Sequence, residues 1–190
     1  MNQLRSLAFV FLLLLASVAR AELKVANVFG DHMVLQQEMP IRVWGWAPPG
    51  VSVQVDLTDY QNAAAFKTRT GDDGKWSVKL PSRKANGKTL QMLVVSGEEK
   101  IKFDDILVGE VWICSGQSNM EWRVAQVANG QKEVAAADHP MIRSFNIPKH
   151  VKQNEPQQDA QEADWMVCSP DTIGGFSAVG YFFGRSLNAK

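Results

Sequence analysis

The chain has 190 residues, with Lys+Arg 20 against Asp+Glu 20 and a hydrophobic share of 45%. Balanced charge with no basic block excludes an electrostatic nucleic-acid binder, and no acidic run argues for a disordered tail. The apolar content is ample for a packed core, and two cysteines, Cys114 and Cys168, are too few for a disulfide scaffold. Residues 1–21 read as a signal peptide. Arg5 gives a positive start, residues 7–16 are an unbroken apolar run too short to span a bilayer, and Ala19 and Ala21 are small residues at both peptidase positions. Cleavage before Glu22 and export to a periplasmic or extracellular space are expected, with no membrane attachment after cleavage.

Residues 22–108 read as all-β. Residues 41–46, 51–57 and 75–80 alternate apolar and polar, which buries one face of a strand and solvates the other. Further runs lie at 33–37, 66–70, 90–95 and 101–103. Turn signals separate the runs: Pro48-Pro49-Gly50, Gly71 to Gly74, Asn86-Gly87 and Ser96-Gly97. Short strands at this spacing predict a β-sandwich. Trp44, Trp46 and Trp76 fit either a sugar-stacking platform or, as tryptophans on strands more often do, inter-sheet packing. Trp44 and Trp46 share a face opposite Ile41 and Val43, and the pattern leaves open which face is exposed.

The period changes near Gly109. An apolar run at 111–114 stops at the polar turn Ser115-Gly116-Gln117-Ser118-Asn119, and helical spacing follows from Met120. Buried strand, tight turn, helix is the order predicted, with Gly116 allowing close backbone approach. Ser118 then stands at the strand's C-terminal end, where open α/β sheets bind ligands. It is either a helix N-cap or an exposed nucleophile. A second helical piece covers 131–137, Asp138-His139-Pro140 breaks it, and 141–147 reads as a strand. Residues 149–164 form a polar loop, 165–168 a short extended piece, and 176–187 an aromatic-rich buried helix. This β-α-β-loop-α order is the start of a parallel α/β sheet. Cys114 and Cys168 read as unbridged core thiols, although export makes a bridge between them possible. No Cys/His cluster or H-E-x-x-H supports a metal site.

Residues 109–122, Gly-Glu-Val-Trp-Ile-Cys-Ser-Gly-Gln-Ser-Asn-Met-Glu-Trp, resemble the first block of the sialate O-acetylesterase group of SGNH (GDSL-like) hydrolases. Residues 27–37, together with Pro40 and Trp44-Gly45-Trp46, resemble the N-terminal region of the same family, and residues 176–185 a further block. The resemblance implies a β-sandwich over 22–108 and the truncated start of an SGNH-hydrolase-like, flavodoxin-like parallel sheet over 109–190. It implies a carbohydrate O-acetylesterase, sialate 9-O-acetylesterase-like, needing no cofactor and acting on an O-acetylated carbohydrate. Ser118 is the nucleophile in that reading. Gln117 and Asn119 orient the turn or the substrate, or only cap the helix.

A serine nucleophile needs a base, which the family takes from an Asp-x-x-His segment near its C-terminus. Three residues before His32, His139 and His150 stand Phe29, Ala136 and Ile147, so no histidine matches, and each reads as solvated or structural. The expectation is an N-terminal fragment carrying the nucleophile without its base. The rival is an exported carbohydrate-binding sandwich with a non-catalytic SGNH remnant.

Overall fold

The computed structural model describes residues 22–59, 63–147, 156–161 and 163–188. The expected signal peptide, His150 and half of the polar loop lie outside the described residues.

The first half is built from eight strands: β1 (Lys24–Val25), β2 (Val34–Gln36), β3 (Ile41–Trp46), β4 (Ser52–Thr58), β5 (Ala63–Arg69), β6 (Lys75–Leu80), β7 (Leu90–Ser96) and β8 (Glu99–Gly109). β1, β3 and β6 form an antiparallel sheet. β2-β8-β7-β4-β5 form a second sheet, mixed because β2 runs parallel to β8 while the other pairs are antiparallel. Alternation decides which side chains turn inward. Ile41 and Val43 of β3 meet Trp76, Val78 and Leu80 of β6, and Val53, Val55, Met92, Val94 and Ile106 of the other sheet join them in one buried cluster. Burying each such side chain contributes on the order of 1.5–3 kcal/mol, so this cluster dominates the stability of the fold.

The orientation left open by the sequence is resolved here. Trp44 and Trp46 lie half-buried on the outer face, while Trp76 is enclosed. Trp76 is therefore a packing residue, and Trp44 leans its ring edge-on to Phe29 at 4.8 Å.

Two strand expectations change. The run expected at 101–103 is part of a longer strand, β8, which continues to Gly109 and is bent by a bulge opposite Leu90 and Met92. At that bulge Asp105 takes φ 52°. Bulges re-aim side chains, and this one aims Asp105 at the second half of the chain. Residues 111–114, expected as a buried strand, lie outside any helix or strand, with Ile113 93% exposed and Cys114 exposed as well. Among the described residues no strand pairs with this run, and its side chains stay exposed although Trp112 touches Phe183 edge-on.

The second half holds α1 (Gly130–Ala136), β9 (His139–Phe145), β10 (Trp165–Cys168) and α2 (Ala178–Asn188). β9 and β10 pair antiparallel, and the parallel pairing expected between 111–114 and 141–147 is not formed, because 111–114 is not a strand. Antiparallel neighbours need no crossover helix, and the described part of their connection supplies none. Overall the described chain is mostly sheet with few helices. Val124, Ala137, Cys168, Ile173, Phe176 and Tyr181 make a second, smaller cluster, in which Cys168 is buried and unbridged. Burial pushes its thiol pKa up, despite a backbone hydrogen bond from His139 that works the other way.

Polar contacts tie the two halves together. Trp165 Nε1 donates to the Val28 carbonyl at 2.8 Å, and the Asn27 amide N–H donates to Asp159 at 3.0 Å. Arg143, its side chain only 4% exposed, donates to Asp105 Oδ2 at 2.7 Å, and His32 Nδ1 reaches the same oxygen at 2.7 Å. Burial pushes the Asp105 carboxyl up, but the hydrogen bonds and charges of Arg143 and His32 outweigh it and hold the pKa below its ordinary 3.8. A depressed carboxylate stabilises the fold above its unfolded pKa, and that contribution disappears as pH falls through the folded value. Asp105→Asn is therefore expected to lower stability at pH 7 by about 1–3 kcal/mol, because Arg143 keeps its burial and loses its counter-charge while the aspartate remains partly solvated. Urea unfolding checks this. The gap between variant and parent should narrow below pH 3.8, and a gap that widens on acidification would refute the assignment.

Candidate active site

β8 delivers the chain to Ser118, and its exit is clamped. Gln37 Nε2 and Gln36 Nε2 donate to the Glu110 carboxylate at 2.7 and 3.2 Å, while Gln36 Oε1 accepts from the Val111 amide at 2.8 Å. The Gln37 amide adds a bond to the Gly109 carbonyl at 2.9 Å. The hydrogen bonds from Gln37 and then Gln36 hold the Glu110 carboxyl below its ordinary pKa. The exit from the sheet is thus fixed by two amide side chains, Gln36 at the end of β2 and Gln37 just after it. Beyond the clamp, Trp112 packs edge-on against Phe183 of α2 with ring centroids 5.1 Å apart. Gly180 faces Cys114, where a Cβ would meet Sγ at 3.5 Å in ordinary contact.

The helix expected from Met120 is two separate 3-10 turns, Ser118–Glu121 and Val124–Gln126, interrupted by extended backbone at Trp122 and Arg123. The interruption has a physical cause. The Trp122 carbonyl accepts from the Ala178 amide at 2.7 Å, Val124 N–H donates to the Phe176 carbonyl at 3.1 Å, and Arg123 bridges to Ser177. These bonds to the start of α2 replace helical ones. The spacing of Trp122, Val124, Ala125, Val127 and Ala128 resembles a helix but is realised as turns, with Val124 fully buried.

Ser118 is the first residue of its turn and is exposed. The N-cap position belongs to Gln117, extended at φ −98° and ψ −169°, with no side-chain cap bond. Gln117 makes no side-chain cap bond, so capping is not what its side chain performs, and Ser118 and Asn119 stand inside the turn, exposed as Gln117 is. The Met120 amide closes the turn on the Gln117 carbonyl at 2.9 Å. Ser118 N–H, ahead of that bond, needs no partner within the turn and is available to an incoming oxygen. Gly116 lies close under the turn, since a Cβ there would stand 3.1 Å from Met120 Cγ. That neighbour is a side-chain atom, so it does not bear on the close backbone approach expected of Gly116.

Neither described histidine hydrogen-bonds to Ser118. His32 is engaged with Asp105, and His139 stands at the start of β9 with its ring 6.2 Å from Tyr181. The arrangement presents an exposed hydroxyl and a free amide on a turn anchored at both ends, with no proton acceptor beside it among the described residues. The clamp at Glu110 is not legible in the sequence: Gln36 and Gln37 close one family-like phrase and Glu110 lies in the next, 74 and 73 positions away.

No family model matches the chain. It is 31% identical over 195 residues to the sialate O-acetylesterase of Mus musculus, an alignment covering 94% of this chain and 36% of that protein. The sialate O-acetylesterase of Homo sapiens is 32% identical over 178 residues, covering 86% of this chain and 34% of its own length. Among solved structures, a carbohydrate acetylesterase from Xanthomonas citri superposes with a TM-score of 0.80 at 34% identity, covering 87% of this chain and 37% of that one. The chain thus spans about a third of the length of the curated relatives it matches. The resemblance to the sialate O-acetylesterases, carried in the sequence by three short blocks, extends over most of the chain.

Proposed function

We propose that this chain, related as it is to the sialate O-acetylesterases, carries the nucleophile of a serine esterase that removes O-acetyl groups from a carbohydrate. The observation that carries the reading is Ser118 itself: an exposed hydroxyl in the Gly116-Gln117-Ser118-Asn119 block, on a turn held at its entrance by Glu110 and at its exit by α2. Ser118 Oγ attacks the acetyl carbonyl, and its proton passes to a histidine base. The Ser118 N–H then holds the oxyanion. Expulsion of the sugar alcohol, which takes up the proton, leaves an acetyl-enzyme, and water activated by the same base releases acetate. Gln117 and Asn119 flank the nucleophile and contact substrate. The base belongs to an Asp-x-x-His segment that residues 1–190 do not contain.

In this reading residues 22–108 are a β-sandwich and 109–190 open an SGNH-like α/β domain, with residues 1–21 removed on export. Incubating the 190-residue chain with 4-nitrophenyl acetate tests the division of labour. Hydrolysis is expected to match that of the Ser118→Ala chain, because an unassisted serine is a weak nucleophile near neutral pH. Robust turnover that depends on Ser118 would mean that the base lies within the chain.

A further inference from the structure

We propose that the protein has an accessory site for a neutral saccharide, apart from Ser118, in the cleft between the β1–β3 edge and the start of β10. The cleft is open, with a volume of about 1000 Å³, and no residue of the Ser118 segment lines it. Four half-buried aromatic side chains contribute to its wall: Phe29, Trp46, Phe103 and Trp165. Two of these are held before any ligand arrives. Trp165 is bonded to the Val28 carbonyl and packs against Phe145 at 5.4 Å, and Phe29 is braced by Trp44. Rings fixed in advance lose little entropy when a sugar face lies against them. A concave wall of apolar rings with a few polar groups is the ordinary make-up of a small-molecule site.

The polar groups decide which sugar. Asp31 and Asp164 are exposed carboxylates at the cleft. Asp31 Oδ1 accepts from the Asp104 amide at 2.7 Å, and its second oxygen has no such bond. Carboxylates accept hydrogen bonds from sugar hydroxyls. The two lysines at the cleft are engaged elsewhere: Lys102 with Asp104 at 2.9 Å, and Lys24 with Asp159 at 3.4 Å, its ammonium also 5.6 Å from the Trp46 ring centre. His32 is held by Asp105. Among the described lining side chains both lysines are paired, while three carboxylates, Glu22, Asp31 and Asp164, are exposed. The expected cleavage before Glu22 adds one α-ammonium, which the Glu22 carboxylate offsets in charge, so the cleft fits an uncharged glycan better than a sialylated one. Such a site would hold a polymeric substrate near the enzyme without touching the reacting ester, and it stands or falls independently of the role of Ser118.

Isothermal titration of the full chain with cellohexaose, xylohexaose, chitohexaose and sialyllactose tests the proposal. At least one uncharged oligosaccharide is expected to bind. Trp46→Ala should weaken it about ten-fold or more, Asp164→Ala should weaken it less, Trp46→Phe should largely retain it, and Ser118→Ala should leave it unchanged. Asp164 is exposed, so its variant reads the cleft even if Trp46→Ala disturbs folding, which thermal unfolding reports. Absence of binding by all three uncharged oligosaccharides, affinity unaltered in both the Trp46→Ala and Asp164→Ala chains, or preference for sialyllactose would overturn the proposal.

Discussion

Ser118→Ala, made in a form of the protein that includes a histidine base and turns over an acetyl ester, is expected to lower kcat by about 10⁴-fold or more while leaving the fold intact. The magnitude follows from the role. A nucleophile and its base act as a unit, so removing the nucleophile removes covalent catalysis and leaves only binding and oxyanion stabilisation. The fold is spared because Ser118 is exposed and its hydroxyl makes no hydrogen bond among the described residues. The turn is closed by backbone, from Met120 N–H to the Gln117 carbonyl. Kinetics with an O-acetylated sugar, alongside thermal unfolding of both proteins, reads the two effects separately. A loss of kcat below about ten-fold would remove Ser118 from the chemistry. An equally large fall in unfolding temperature would make it a structural residue.

What the sequence reveals and what it conceals divide along a physical line. Strands packed on both neighbours are legible: Ile41, Val43, Val53, Val55 and Leu57 alternate as expected, and every one is buried. Local pattern suffices there because burial of alternate positions is what makes those segments strands. The pattern at 111–114 is just as apolar, yet Trp112 and Ile113 face solvent. Apolarity states that a segment needs a partner and cannot state that the described residues provide one. Helical spacing after Ser118 misleads for a related reason. Val124 needs only one buried position, and the backbone of residues 122–124 pairs with 176–178 in place of completing helical bonds. Such long-range competition leaves no trace in a local period. The candidate nucleophile is legible because its block is distinctive. The links at Glu110 and Asp105 join residues 73 to 75 and 38 to 73 positions apart, and no local signal pairs them.

Gly45→Ala is expected to destabilise the chain by about 3 kcal/mol or more, a large part of the stability of a domain this size. Gly45 is enclosed in the middle strand of the three-stranded sheet, opposite Val25 on one side and Trp76 on the other. A Cβ there would stand 2.0 Å from the Lys24 carbonyl oxygen and 2.8 Å from Cζ2 of Trp76. No rotamer relieves a methyl group, and the nearest atom is backbone, so β1 must leave its place or the Trp76 indole must be pushed from the core. The contrast with Gly87 isolates the cause. Gly87 takes φ 68° in the turn before β7 but has open space where a Cβ would go. Gly87→Ala therefore costs only backbone strain, about 1 kcal/mol. Urea unfolding of both variants separates a requirement for space from a requirement for conformation. If Gly45→Ala costs no more than Gly87→Ala, then β1 does not press on β3 as described, and Trp76 is not held against the glycine that makes room for it.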